Sequence, residues 1–87
     1  MSNKPLVLLI EDDMPLRKYL RTLLSGAGYS LEEAESGEQG IRLASRMMPA
    51  VIILDLGLPD VDGQDVLRSL REKHEVPIIV LSGRDAN

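Results

Sequence analysis

Eighty-seven residues allow one small domain with a modest core, and with two tyrosines as its aromatics that core has to be aliphatic. The net charge of −4 argues against a nucleic-acid-binding surface, and the lack of cysteine excludes disulfides and thiolate zinc sites while suiting a reducing compartment. No apolar run approaches a membrane span, and the opening MSNKPLVLLIEDD meets three acids too soon for a signal peptide, so a cytoplasmic globular domain is expected.

The first element is Leu6–Ile10, a continuous apolar run of the kind found in strands buried on both faces. It ends at Glu11-Asp12-Asp13. Pro15 then suits the first turn of a helix with Asp13 as its N-cap. Leu16, Leu20, Leu23 and Leu24 form one apolar stripe along that helix, with Arg17, Lys18 and Arg21 expected on a solvated face and Gly26 and Gly28 as its stop. Tyr29–Ala34 is a more polar strand, suited to a sheet edge.

Ser36 and Gln39 have the spacing of a capping box, opening a second helix. Its buried face is expected to carry Ile41, Ala44 and Met48, flanked by Leu43 and Met47, before Pro49 ends it. Val51–Leu54 is a buried strand closed by Asp55. A third helix is expected from about Gln64 to Lys73, with Val66, Leu67 and Leu70 on one side. Pro77 introduces a fourth strand, Ile78–Leu81, followed by Ser82-Gly83-Arg84-Asp85.

Strands alternating with helices in this way make a parallel, doubly wound α/β sheet, with right-handed crossovers placing helices on both faces. In such sheets ligands bind beyond the carboxyl ends of the strands, where the strand order reverses. The acids of residues 11–13, Asp55 and the Ser82 hydroxyl all fall at strand ends, and converging carboxylates repel one another unless a cation or protons neutralise them. An all-oxygen donor set suits Mg²⁺, with Glu11 and Asp12 as ligands and the Gly57 carbonyl available to complete them. Asp55, at the end of a rigid strand, is then the best-placed nucleophile for a phosphoryl group. His74 is the only imidazole and sits late in the third helix, so neither a zinc site nor a hydrolase triad is expected.

The residues LLIEDD at 8–13, DLGLPDVDG at 55–63 and VPIIVLSGRD at 76–85 resemble the receiver domain of bacterial two-component response regulators, over essentially the whole chain. Within receivers they most resemble regulators with a winged-helix DNA-binding output domain, and among those the potassium-responsive KdpE group. The resemblance implies the flavodoxin- and CheY-like fold with strand order 2-1-3-4. It also implies Asp55 as phosphoacceptor and Glu11, Asp12, Asp55 and the Gly57 carbonyl as Mg²⁺ ligands. Ser82 becomes the switch hydroxyl that couples phosphorylation to the signalling face, and Pro59 and Gly63 shape the loop after the acceptor.

A sensor histidine kinase is the implied phosphodonor, and a homodimer and DNA binding through a separate output domain are the implied consequences. The resemblance implies a signalling module and not an enzyme, with at most self-phosphorylation from small phosphodonors and autodephosphorylation. Against the family's pattern, the fifth strand with its lysine and the helices beside it have no counterpart, so residues 1–87 are expected to be a C-terminally incomplete receiver without an output domain, and its fourth strand an exposed apolar edge. Two rivals stand beside this reading. One is a non-phosphorylated interaction module of the same fold. The other is a Mg²⁺-dependent phosphatase, which would need a second aspartate where Gly57 stands. Among the remaining acids, Asp13 is expected to cap a helix, and Asp60 and Asp62 to bond their own backbone in turns.

Overall fold

In the computed structural model, residues 3–81 are described. They run β1 (Leu6–Ile10), α1 (Met14–Gly26), β2 (Ser30–Ala34), α2 (Gly37–Met47), β3 (Val51–Asp55), α3 (Gly63–Lys73) and β4 (Ile78–Leu81). The four strands are parallel in the order β2-β1-β3-β4, as expected. Alternation of side chains sends Leu8, Ile10, Ile52 and Leu54 to one face, where they pack with Ala44, Leu58, Val66 and Leu70 beneath α2 and α3. Val7, Leu9 and Ile53 point to the opposite face, against Leu20 and Leu24 of α1. Each fully buried Leu or Ile contributes roughly 1.5–3 kcal/mol, so the central strands β1 and β3 supply much of the apolar driving force.

The helix ends follow their sequence signals. Asp13 Oδ2 accepts from the Leu16 amide at 2.9 Å, and Pro15 occupies the first turn of α1. The capping box of α2 is complete: Ser36 Oγ accepts from Gln39 N at 3.2 Å, and Gln39 Oε1 accepts from Glu35 N at 2.9 Å. Asp62 caps α3 by accepting from Gln64 N at 2.9 Å, so α3 begins at Gly63.

Three expectations about helix faces are corrected. The α1 stripe does not bury as a unit, because Leu20 and Leu24 pack on the sheet while Leu16 and Leu23 remain exposed. Arg17, expected in solvent, is buried at 5% exposure. Met48 is not a core residue of α2. It is the residue after the helix, in the left-handed region at φ 51°, and is 81% exposed, while Gly40 lies buried against Ile10. Among the described residues β4 is an outer strand of the sheet, and its Ile79 and Val80 are exposed.

Candidate functional site

β1 continues to β2 on one side and, after α2, the chain passes to β3 on the other, so the strand order reverses between β1 and β3. The register pairs Ile10 with Leu54, which brings the next residues, Glu11 and Asp55, out together at the carboxyl edge. Asp12 follows on the turn into α1. One carboxylate oxygen from each of Glu11, Asp12 and Asp55 lies within 4.8 Å of the others. Asp12 is exposed and Asp55 half-buried, whereas Glu11 is 1% exposed.

Glu11 carries the electrostatic strain of this cluster. Burial, with Asp55 and then Asp12 adding like charge, raises its carboxyl from 4.5 to about 7, against the lowering effect of the Asp13 amide. That amide donates to Glu11 Oε2 at 3.0 Å, while Oε1 is buried without a hydrogen-bond partner. A buried, unpartnered carboxylate oxygen facing two further carboxylates is what a hard divalent cation would satisfy. The donor set fits Mg²⁺.

The turn that carries the acid pair is held from outside the site. The Glu11 amide donates to Ala34 O at 3.0 Å, extending the β1–β2 ladder past Ile10. Arg17 Nη1 donates to the Glu11 carbonyl at 2.8 Å, and its Nε donates to Glu33 at 3.0 Å. Glu33 also holds Arg21, and these hydrogen bonds, that of Arg21 foremost, keep its carboxyl below the usual range. Arg17 was missed by sequence reasoning because its signal was indirect: a cation one turn into a helix that follows an acidic turn.

On the β3 side, the Gly57 amide donates to Asp55 Oδ1 at 3.1 Å, which places Gly57 beside the proposed acceptor. Leu58 inserts into the core and anchors the loop. A Cβ on Gly63 would collide with the Leu56 backbone, so glycine is needed where the loop closes. Asp60 reaches beyond the local turn expected of it. Its carboxylate extends to α2, accepting from Gly37 N at 2.9 Å and Glu38 N at 3.1 Å. Of the expected site residues, the structure brings together Glu11, Asp12 and Asp55 with Gly57 adjacent, and Ser82 lies outside the described residues.

A parallel sheet in the order 2-1-3-4 with a carboxylate cluster at the β1/β3 reversal defines a receiver-type signalling domain of the CheY-like fold. Comparison with known proteins agrees: residues 7–87 match the response regulator receiver domain. The chain belongs to that family. It is 49% identical over 78 residues to the KDP operon transcriptional regulatory protein KdpE of Escherichia coli, covering 90% of this chain and 35% of that protein. It is 46% identical over 79 residues to the transcriptional regulatory protein KdpE of Mycobacterium tuberculosis, covering 91% of this chain and 35% of the relative. Among solved structures, the signal receiver domain of a LuxO repressor protein from Vibrio parahaemolyticus superposes with a TM-score of 0.81 at 33% identity, covering 88% of this chain and 60% of that one. The chain thus spans about a third of the length of these curated relatives. No helix among the described residues is long and apolar enough to cross a membrane.

Proposed function

We propose that this receiver domain accepts a phosphoryl group on Asp55 from a phosphohistidine of a sensor histidine kinase, with Mg²⁺ held by Glu11, Asp12, Asp55 and the Gly57 carbonyl. The observation that carries the reading is the buried, unpartnered Glu11 Oε1 beside Asp55 at the reversal point of the sheet. An Asp55 oxygen would form the new bond to phosphorus as the bond from phosphorus to the histidine nitrogen breaks, the electron pair leaving with the imidazole. Mg²⁺ when bound would offset the charge on the transferring oxygens. The chain itself contributes position: β3 fixes Asp55 at the sheet edge, and the Gly57 amide orients its carboxylate.

Ser82 is assigned the switch hydroxyl on the family resemblance. Phosphorylation would add charge and acceptor oxygens at the strand ends, biasing a two-state surface that, in a longer regulator, promotes dimerisation and governs a DNA-binding domain. Such a role belongs in the cytoplasm, where kinase and DNA are both met. The test is incubation with Mg²⁺ and acetyl phosphate or beryllofluoride, with Asp55→Asn as comparison. A stable adduct is expected on the unsubstituted chain and none on Asp55→Asn. An adduct that persists in Asp55→Asn, or none on either chain, overturns the assignment.

A further inference from the structure

The loop from Leu56 to Asp62 carries the proposed Gly57 ligand, and it is tied to a helix that belongs to neither strand of the acidic site. Asp60 Oδ1 accepts from the Gly37 amide at 2.9 Å and Oδ2 from the Glu38 amide at 3.1 Å. These are the first two residues of α2, whose N–H groups have no partner within the helix. The third, Gln39, is taken by Ser36 Oγ at 3.2 Å, so α2 is capped twice: once by its own sequence and once from 22 residues downstream. Two further details show a close seat. A Cβ on Gly37 would collide with the Val61 and Val66 side chains, so the loop lies directly on the helix start. The two amides also hold the Asp60 carboxyl below the usual carboxylate range.

We propose that Asp60 is a positioning residue of the phosphoacceptor site, clamping the β3–α3 loop onto the N-terminus of α2 so that Gly57 is held over Asp55 and the acid pair. The assignment rests on the reading of Asp55 as the acceptor, and it adds a control point remote from the reacting atoms. Asp60 touches neither metal nor phosphoryl group. Its contribution is to limit the excursions of a loop that is otherwise fixed by Leu58 in the core, the residue next to Gly57, and by Gly63 packed on Leu56. Asp60 itself is exposed, so its removal spares the apolar core and takes the cap from the amide of the buried Gly37 and from that of Glu38.

The test compares three variants of the 87-residue chain: Asp60→Ala, Asp60→Asn and Ser36→Ala. Ser36→Ala removes a cap from the same helix without releasing the loop, so it reports what a purely structural role would do. Loss of a cap changes an equilibrium about 5-fold. Asp60→Ala is therefore expected to speed hydrogen exchange of the Gly57 amide about 5-fold and to weaken Mg²⁺ binding, followed by calorimetry, by a similar factor. Asp60→Asn, which keeps one acceptor, should recover part of both. Ser36→Ala should lower the unfolding midpoint while leaving both readouts unchanged.

Equal Gly57 exchange in Asp60→Ala and the unsubstituted chain overturns the proposal, as does an equal change in Ser36→Ala. If the unsubstituted chain bound no Mg²⁺, the metal reading would fall, and Gly57 exchange would still decide the role of Asp60.

Discussion

Replacing Glu11 by glutamine isolates the strain stored in the acidic site. The native Glu11 carboxyl is raised from 4.5 to about 7, first by burial and then by its acidic neighbours. Between those two values the folded chain holds more protons than the unfolded chain, so stability falls as pH rises. The contribution of protonated Glu11 is fully present below about pH 4.5 and is lost as pH passes through about 7. At ~1.4 kcal/mol per pH unit, that interval amounts to about 3 kcal/mol. Glutamine keeps the shape, and its carbonyl can still accept from the Asp13 amide, while its NH₂ faces the two remaining carboxylates without charge.

Urea unfolding followed by circular dichroism from pH 4.5 to 8, in the absence of divalent cations, should show the two chains diverging. Glu11→Gln should gain on the unsubstituted chain as pH rises, reaching an advantage of about 3 kcal/mol near pH 8. Glu33 and Asp60, whose carboxyls are lowered, favour the opposite slope at acid pH, but they are common to both chains and cancel in the difference. Mg²⁺ should narrow the gap at pH 8 by stabilising the chain that retains the carboxylate more than Glu11→Gln. Parallel curves for the two chains across this range would refute the strained-acid account.

Arg17→Met removes the guanidinium that holds the Glu11 carbonyl while Arg21 still pairs with Glu33; a loss of about 2 kcal/mol in urea unfolding is expected, with Arg17→Lys intermediate. Gly40→Ala would place a Cβ 2.5 Å from Ile10 Cδ1 and 2.7 Å from its Cγ1, and because Ile10 is fully buried the overpacking should cost about 1–3 kcal/mol, read as a lower unfolding midpoint. Met48→Gly relieves a left-handed conformation at an exposed site and should gain about 0.5–1 kcal/mol, seen as a higher Tm.

Local signals in the sequence determined the elements of this protein and the composition of its acidic site. The apolar runs Leu6–Ile10 and Val51–Leu54, the caps at Asp13 and at Ser36 with Gln39, and the breaks at Gly28 and Pro49 act over a few residues, and each acts as its chemistry requires. The alternation of strand and helix then leaves few topologies, which is why Glu11, Asp12 and Asp55 could be placed together before their distances were known.

What only the tertiary structure decided depends on geometry between elements distant in sequence. A helical period gives the direction of an apolar stripe but not how much of it the sheet covers, so Leu20 and Leu24 are packed while Leu16 and Leu23 are exposed. Arg17 is buried because Glu33 and the Glu11 carbonyl happen to face it from two different strand ends. Asp60 reaches beyond its own turn to α2 because right-handed crossovers set the loop after β3 against the start of that helix. The acidic residues of the site are written in the sequence; the groups that hold them in place are visible only in the fold.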